Sequence, residues 1–378
     1  MLSTLDRRRF LKTSALAAPA LACTGIIRDA YGAEAPRVEV PVVDSLVVQV
    51  VTDGNHDAFI SGAQVPGMRV ERVRFFRGAQ ERRTLRSEWG LSLHLTSQRA
   101  GETRRFLLDF GYTPDVLNHN LELLGLDPAA LDALIASHGH LDHYGGLDGF
   151  LAKHRASMRD DLRLYVGGED TFCYRHAPAG NGAFASFGVM DRRMLATARV
   201  RPVLSEEPLL IEGHAFTTGT IPRTSLERVL PNSFVEFGER DGAGCKVSDY
   251  ARHHFTPAEL AGQPVPDQHL HEHGTCFHVK DSGLVVITSC GHAGVVNTVR
   301  RAQQVSGVRK VYALVGGFHL APAPEDYLNR IMAELKTLDI QHVFPMHCSG
   351  ANFLEAAKRE MPQALVLCTT GSRFTFGT

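Results

Sequence analysis

Short apolar runs alternate with amphipathic stretches along most of the chain. The runs VVDSLVVQVVTD, GLSLHLTS and RRFLLDFG are rich in β-branched and other apolar residues and end near Gly or Asp, so they predict strands. The stretch PDVLNHNLELLGL instead has apolar residues at helical spacing, with Asp115 suited to its first turn and Gly125 to its end. The run LDALIASH predicts a further strand directly after this helix.

The second half of the chain continues the alternation. Predicted strands are LRLYVGG, HAFTTG, GTCFHVK, GLVVITSC, KVYALVGG and HVFPMHC, and predicted helices are VVNTVRRAQQV, PEDYLNRIMAELKTL and NFLEAAKREM. Strands that alternate with helices predict an α/β layered protein, which we place in a single domain over residues 36–378. The part from Thr224 to Gly274 is rich in Pro, Gly and His with poor periodicity, which predicts a loop-rich insertion over one end of the sheet.

Composition excludes some classes of function. The chain has 378 residues, of which 44% are hydrophobic, enough to bury a sizeable core. The formal net charge of -1 predicts neither nucleic-acid binding nor attraction to an anionic membrane surface. Nineteen histidines are many for this length, and buried imidazoles without partners are costly, so the histidines favour a search for metal ligands.

The N-terminal 35 residues have the composition of an export signal. A basic start leads into an Ala-rich apolar segment and then small residues, with cleavage expected near Gly32 or Ala33. Pro19 breaks the segment, which is too short for a stable membrane span. The motif from Arg7 to Lys12, RRRFLK, resembles a twin-arginine signal. That resemblance implies the twin-arginine export machinery as a partner and a periplasmic or secreted location.

Cysteine usage leaves the redox question open. The seven cysteines lie at positions 23, 173, 245, 276, 290, 348 and 368 without a CxxC motif, so no zinc ribbon or thioredoxin-like site is expected. Six remain after removal of the signal. A disulfide in an oxidising compartment is compatible with this pattern, but the sequence selects no pairing.

The stretch SHGHLDHYGGL, residues 137–147, concentrates metal-binding side chains in one turn. If the chain is extended at its start, His138 and His140 share a face and can share an ion. A helix beginning after Leu141 would let Asp142 and His143 reach a second position. Imidazoles with a carboxylate fit zinc or iron best, whereas the alternative is a polar helix start with exposed histidines. The following glycines, Gly145 and Gly146, allow close backbone approach or an unusual dihedral angle.

The HxHxDH pattern of residues 138–143 resembles the signature of the metallo-β-lactamase superfamily. The stretches EWGLSLHL, CGHAGVVNT, GGFHL and MHCSG resemble one branch of it, that of 7,8-dihydropterin-6-yl-methyl-4-(β-D-ribofuranosyl)aminobenzene-5'-phosphate synthase. The resemblance covers most of residues 43–375. It implies a four-layer αββα sandwich with a metal site at one edge of the two sheets.

The resemblance also implies a ligand set. His138 and His140 match the first-site ligands, and Asp142 and His143 match the second-site pair. His292 and His347 match the later histidines, and each follows an apolar strand, where an α/β sheet usually places its chemistry. The implied cofactors are two divalent ions, with Zn²⁺ expected, Fe or Mn as alternatives, and a single ion also open.

One position departs from the superfamily pattern. A bridging Asp usually ends a strand like GLVVITS, but here Cys290 stands near that place. Its thiolate could bridge or bind a metal ion, since metal depresses the pKa of a thiol. The side chain could equally be a small buried hydrophobe.

Further polar residues are candidates for contacts with a substrate. His319 in GGFHL could face the substrate, orient a ligand or be structural. Ser349 opens the predicted helix after His347, whose amides could hold an anionic group, and Arg223 could add positive charge. The histidines of DQHLHEHG, His269, His271 and His273, form either a polar strand face or a contribution to the site.

Three functions remain open from the sequence. An exported hydrolase would use an activated water on a small-molecule ester, lactone, amide or phosphoester, with Asp142 as the catalytic carboxylate. A synthase-type transferase reaction on a pterin phosphate follows from the branch resemblance. A metal-bound sensor or binding protein would keep the ligands without turnover.

Overall fold

The computed structural model describes residues 37–73, 83–179, 182–230 and 233–377. The predicted export signal over residues 1–35 lies outside these ranges. In the described part of the chain, no helix combines the length and apolar character needed to cross a membrane.

Twenty-two strands are described. They are β1 Val42–Val43, β2 Ser45–Thr52, β3 Ala63–Val65, β4 Met68–Arg72, β5 Ser92–Arg99, β6 Glu102–Leu108, β7 Ala133–Ala136, β8 Arg163–Val166, β9 Tyr174–Pro178, β10 Phe184–Ser186, β11 Arg201–Leu204, β12 Leu210–Ile211, β13 Ala215–Thr217, β14 Phe234–Glu236, β15 Gly238–Arg240, β16 Ala243–Cys245, β17 Val265–Pro266, β18 Thr275–Val279, β19 Gly283–Thr288, β20 Val311–Gly317, β21 His342–Met346 and β22 Ser372–Phe376.

Most of these strands belong to two large sheets. One sheet has the order β11-β8-β7-β6-β5-β2-β22-β4-β3, and the other has the order β12-β13-β18-β19-β20-β21 with β1 paired to β18. In the second sheet β19, β20 and β21 run parallel, with helices between them, as the alternation of patterns predicted.

The described α-helices are α1 Pro114–Leu124, α2 Leu141–Tyr144, α3 Leu147–His154, α4 Arg192–Thr197, α5 Asp249–His254, α6 Val295–Ser306, α7 Glu325–Thr337 and α8 Ala351–Glu360. Helix α1 shows why the sequence prediction was accurate. The Thr113 side chain accepts a hydrogen bond from the Val116 amide at its start, and Gly125 adopts the left-handed conformation at its end. The helix predicted after Leu141 is confirmed as α2.

Three hydrophobic cores lie between four layers of secondary structure. Alternate residues of each strand face opposite sides: Phe106 and Leu108 enter the core between the two sheets, while Leu107 faces α1 and α3. On the other sheet, Val285 enters the middle core and Val286 packs under α6, α7 and α8. The predicted αββα sandwich is therefore confirmed.

The segment predicted to be loop-rich, residues 224–274, is more ordered than expected where it is described. It contains β14 to β17 and α5, all short, and β14 joins β9, β10 and β17 in a small third sheet. A disulfide between Cys173 and Cys245, which the sequence left open, ties this segment to the turn after β8. Short elements with weak periodicity gave too little signal to be recognised.

Candidate metal centre

The polar residues that follow six strands converge on one edge of the sandwich. These residues are Asp53 after β2, Asp109 after β6, His138 after β7, Cys290 after β19, His319 after β20 and His347 after β21. Strands β2 and β6 both run antiparallel to β5, so they run in the same direction and end on the same side. In the other sheet, β19, β20 and β21 are parallel to one another and likewise end on one side. Both sheets therefore contribute strand ends to one site.

The first ligand group consists of His138, His140 and His292. The ring of His138 lies 4.6 Å from that of His140 and 5.0 Å from that of His292, and the rings of His140 and His292 are 4.7 Å apart, measured between centroids. A ligand atom of each residue lies within 4.8 Å of the others, and all three side chains are buried. This spacing is suited to one shared ion.

The second ligand group consists of Asp142, His143 and His347. His347 Nε2 lies 3.3 Å from Asp142 Oδ2 and 3.1 Å from His143 Nε2. Asp142 and His143 occupy the single turn of α2, and His347 takes a positive φ of 48° in a tight turn after β21. The structure thus brings all six predicted ligands into two adjacent groups.

Buried polar atoms without hydrogen-bond partners point into both groups. Among the residues that the structure describes, these atoms include His138 Nε2, Asp142 Oδ1 and both ring nitrogens of His292. A buried polar atom left unsatisfied destabilises a fold by about 1–3 kcal/mol. Such atoms are what metal coordination satisfies, so the residues present fit divalent metal binding.

The protonation states suit metal binding as well. Burial lowers the pKa of His138, His140 and His292 well below the ordinary value, which keeps the imidazoles neutral. Burial alone would raise the pKa of the Asp142 carboxyl, but the neighbouring histidines, led by His143, outweigh it and hold this pKa below its usual range. Neutral imidazole and ionised carboxylate are the forms that bind metal.

Asp109 positions ligands of both groups, and sequence reasoning missed it. Its Oδ2 accepts a hydrogen bond from His143 Nδ1 at 2.8 Å and another from the Ser137 hydroxyl at 2.7 Å. The same hydroxyl lies 2.9 Å from His138 Nδ1. The available signal was an Asp at the end of the strand RRFLLD, which pattern analysis assigned only to strand termination.

Two more buried carboxylates hold the ligand-bearing turns. Glu272 accepts hydrogen bonds from the backbone amides of Gly291, His292 and Ala293 at 2.6–3.0 Å. Asp53 Oδ1 accepts one from the amide of His347 at 2.7 Å. Burial raises the pKa of both carboxyls above its ordinary value. These hydrogen bonds therefore hold the tight turns that carry His292 and His347.

The glycine pair after α2 allows close packing rather than an unusual dihedral angle. Gly145 and Gly146 both have ordinary right-handed helical φ and ψ values. A Cβ on either would collide with the carbonyl oxygen of Tyr112 or Phe110. Of the two roles that the sequence allowed, the structure therefore selects the close backbone approach.

The HLHEH stretch is a buried turn, so the expectation of a polar strand face was wrong. His271 Nε2 accepts a hydrogen bond from the Gly139 amide at 3.0 Å, and His273 Nε2 lies 3.2 Å from the Ala136 carbonyl oxygen. These two histidines brace the loop that carries His138 and His140. Alternating polar residues gave a period typical of a strand, but they serve here to satisfy backbone groups in a turn.

His269 lies closer to the ligands than its neighbours. Its ring stacks on His292 at a centroid distance of 3.9 Å, and it forms a third buried cluster with His140 and Asp267. The Asp267 carboxylate in turn accepts a hydrogen bond at 3.0 Å from Arg175, a buried guanidinium. His269 thus adjoins the first ligand group.

Cys290 lies between the two ligand groups. Its sulfur is within 4.8 Å of ligand atoms of both His138 and His143, and it is buried. The sequence resemblance leads us to expect a bridging carboxylate near this position. A second sulfur, that of Cys348, lies 3.1 Å away.

The three candidate substrate residues are placed differently from one another. His319 is half-buried, with its ring 4.2 Å from that of His292. Ser349 is buried and its hydroxyl donates to the Gly316 carbonyl at 3.3 Å, while Arg223 donates to the side chain of Gln268 at 3.1 Å. Of the three, His319 is the residue whose ring contacts a predicted ligand.

Trp89 was not singled out from the sequence, although it lies in the EWGLSLHL stretch. The residue is 58% exposed, and its ring lies 4.8 Å from the ring of His347. The preceding residue, Glu88, accepts hydrogen bonds from the amides of Tyr112 and Thr113 at 2.8 and 3.0 Å, which fixes the loop. The side chain forms an aromatic wall beside the second ligand group.

Comparison with known proteins agrees with this geometry. Residues 98–157 match the model of the metallo-β-lactamase superfamily. The chain is 26% identical over 267 residues to the 7,8-dihydropterin-6-methyl-4-(β-D-ribofuranosyl)-aminobenzene-5'-phosphate synthase of Methanocaldococcus jannaschii, an alignment that spans 70% of this chain and 82% of that protein. An uncharacterised protein of the same organism is 26% identical over 249 residues, which is 65% of this chain and 80% of that one.

A solved structure shows the same architecture. Tm1679, described as a metal-dependent hydrolase of the β-lactamase superfamily, aligns with a TM-score of 0.60 and 21% identity over 87% of this chain and 98% of its own. The layered sheets and the ligand-bearing edge define the chain as a protein of the metallo-β-lactamase fold. Within that fold, one named protein to which it is similar in sequence is the archaeal synthase.

Proposed function

We propose that this chain is an exported metal-dependent hydrolase that acts on an ester, lactone or phosphoester bond of a small molecule. The observation that carries the proposal is the pair of adjacent buried ligand groups, whose unpaired nitrogen and oxygen atoms point into shared space. Asp142 also has two carboxylate oxygens at the second group, one of them 3.3 Å from His347 Nε2, so one oxygen can bind an ion and leave the other to accept a proton.

The two ligand groups would hold two divalent ions, and the mixture of imidazole and carboxylate favours Zn²⁺. His138, His140 and His292 would bind one ion, and Asp142, His143 and His347 the other. Two such ions, when bound, would supply an acidified water and a Lewis acid that polarises the bond to be cut. Cys290 is placed to contribute a ligand between the groups.

The residues around the two ligand groups would orient the attacking water and keep bulk water away. Asp142 has one oxygen against His347 and the other unpaired, so it can accept a proton from the attacking water. Asp109 fixes the orientation of His143, and through Ser137 that of His138. Burial of every one of these groups keeps bulk water away and strengthens their electrostatic effect.

The substrate side is formed by residues at the open end of the site. Trp89 offers an exposed aromatic face beside His347, suited to packing against a planar part of a substrate. His319 lies on the side of His292 and has a buried Nε2 without a hydrogen-bond partner in the described structure. A role for Ser349 and Arg223 in holding an anionic substrate stays a prediction.

Export through the twin-arginine route, to the periplasm or outside the cell, is part of the proposal. It is supported by the RRRFLK motif in the first 35 residues. The Cys173–Cys245 disulfide supports it as well, because disulfides persist in oxidising compartments and are rare in the cytosol.

A second candidate function has one specific observation in its favour. The archaeal relative, 26% identical, is named as a synthase of a pterin-ribosyl phosphate compound. A transferase on a similar phosphorylated substrate would use the same ligand groups, with an organic acceptor in place of water. The non-catalytic alternative, a metal-bound sensor, would bind small molecules without product.

The deciding experiment combines metal content with turnover. The purified chain is analysed for metal and assayed against phosphodiester, lactone and β-lactam substrates, beside His140→Ala and a control variant, His278→Ala, on the half-buried face of β18. We expect near two equivalents of zinc, iron or manganese with turnover in the wild type and control. His140→Ala should lose both while its far-ultraviolet circular dichroism is retained.

Three results would overturn the proposal. Retained activity in His140→Ala would show that the ligand groups are not the site of chemistry. Saturable small-molecule binding with a full metal complement and no turnover on the panel would favour the sensor, and turnover only with an added pterin acceptor would favour the transferase.

A further inference from the structure

Two cysteines lie sulfur to sulfur beside the ligand groups. Cys290 follows β19 and Cys348 follows β21, and both side chains are buried. Their Sγ atoms are 3.1 Å apart, about 1 Å more than the length of a disulfide bond. A small movement of either turn would therefore allow a bond between them.

This contact is unusual for the strands that carry the two residues. In the sheet β20 lies between β19 and β21, and neighbouring strands are about 4.8 Å apart, so the flanking strands are roughly 10 Å apart. The sulfurs meet across β20 because that strand ends in Gly316 and Gly317. A Cβ on Gly317 would lie 2.8 Å from the Cys348 sulfur.

The third residue at this place, His319, holds the pair and borders an opening. Its amide donates to Cys348 Sγ at 3.3 Å, and its Nδ1 lies 3.7 Å from Cys290 Sγ. A small cleft is lined by Gly291, which follows Cys290 in the chain, and by His292, His319 and Tyr327. This cleft is the side from which a small reagent such as hydrogen peroxide would approach the sulfurs.

We propose that Cys290 and Cys348 form an oxidation site guarded by metal, in which a hydroperoxide converts the two thiols to a disulfide when the ligand groups hold no ion. Two S–H bonds and the peroxide O–O bond break, and one S–S bond forms. The two sulfurs lose two electrons, and hydrogen peroxide is reduced to two molecules of water that carry away both thiol hydrogens.

The position of Cys290 explains why bound metal would protect its thiol from oxidation. Its sulfur lies within 4.8 Å of ligand atoms of His138 and His143, so an ion held there can also engage it. A sulfur engaged by metal shares electron density with the ion and is a weaker nucleophile toward the peroxide, and closing the disulfide would draw it away from the ligands. Oxidation and metal binding therefore exclude each other at this residue.

The test uses wild-type protein and readouts other than turnover. The purified chain is reduced with a phosphine and divided into a chelator-treated sample and a zinc-reloaded sample, whose metal contents are measured. Both receive a small excess of hydrogen peroxide, and free thiols and cross-linked peptides are quantified by mass spectrometry. Cys368→Ser, which removes a buried cysteine elsewhere in the middle core, is the matched control, and Cys348→Ser is the test variant.

The expected result is a Cys290–Cys348 cross-link in the metal-free wild type and control, formed at least tenfold more slowly in the zinc-loaded samples. Cys348→Ser should give no cross-link to Cys290. Metal-free wild type that keeps both thiols, or that accumulates sulfinic acid at one cysteine without a cross-link, would overturn the proposal. Equal rates of cross-linking with and without zinc would show that bound metal does not protect Cys290 from oxidation. None of these measurements depends on hydrolytic turnover. The oxidation proposal can therefore fail or succeed independently of the proposed function.

Discussion

The carboxylate of Asp109 and the Nδ1 of His143 are 2.8 Å apart, and both groups are fully buried. This contact leaves His143 Nε2 directed at His347 and the second ligand group. A carboxylate behind a ligating imidazole fixes its tautomer and raises its basicity. The end of β6 thus controls a ligand that stands on α2.

Asp109→Asn should therefore weaken metal binding without unfolding the chain. We expect metal affinity to fall about 10- to 100-fold, because the amide no longer fixes the His143 ring or accepts equally from Ser137. Competition titration with a chromophoric chelator measures the affinity. The control is Asp132→Asn, whose carboxylate binds Arg104 at the opposite end of β7. Equal affinities for wild type and Asp109→Asn would show that the contact is structural only.

Trp89 should determine how well planar substrates bind. Loss of one aromatic contact removes about 0.5–1.5 kcal/mol, so Trp89→Ala should raise KM roughly 2- to 10-fold for an aromatic ester and leave kcat nearly unchanged. Trp89→Phe should restore most of the loss. A fall in kcat with unchanged KM would indicate that the ring supports His347 rather than the substrate. Trp89 is the only tryptophan, so quenching of intrinsic fluorescence by the substrate reports binding directly.

Asp170 should make stability decline as pH rises. Burial raises the pKa of this carboxyl from its ordinary 3.8 to about 7. Between these values the native state binds more protons than the unfolded state, so the free energy of unfolding falls with rising pH through that window. The fall amounts to at most about 4 kcal/mol, at 1.36 kcal/mol per pKa unit.

Asp170→Asn should remove this pH dependence. The variant should match the wild type near pH 4 and exceed it in stability near pH 8, as measured by urea unfolding. Replacement of the exposed Asp148 by Asn serves as the control, with an expected change below about 0.5 kcal/mol at either pH. A wild-type curve that rises between pH 4 and pH 7 in parallel with that of Asp170→Asn would contradict the prediction.

The Cys173–Cys245 disulfide should contribute measurably to stability. It links residues separated by 72 positions, and removal of such a cross-link typically lowers the free energy of unfolding by about 2–5 kcal/mol. The double variant Cys173→Ala/Cys245→Ala should lose that amount when zinc-loaded proteins are compared in urea. A reductant should destabilise the wild type and leave the double variant unchanged. Insensitivity of the wild type to reductant would show that the bond does not form.

The periodicity of the sequence predicted the central layers well, because strands such as GLVVIT and helices such as α7 each have a clear period and clear end signals. It did not identify β22, whose residues SRFTF are too few and too mixed to stand out. Nor did it predict that the HLHEH stretch is a turn, since that depends on backbone partners such as Gly139 and Ala136 in a distant part of the chain.

The same distinction, between local sequence patterns and contacts with distant residues, applies to the candidate metal site. The HxHxDH motif places four ligands by local geometry, so sequence alone was enough to nominate them. Asp109 and Glu272 act through single hydrogen-bonded partners far away in sequence, and no local pattern marks such residues. Trp89 likewise meets His347 only because two sheets end at one edge.

Strand β22 occupies a position inside the nine-stranded sheet, between β2 and β4. The Gln49 side chain on β2 donates to the Ser372 carbonyl on β22, although the two residues are 323 positions apart. The ribosome must therefore release residues 372–376 before the sheet can close around them, and such distant pairing is intrinsically slow to form. Folding of this domain is completed only after residues 372–376 have been synthesised, and any transport route that carries the domain folded must act later still.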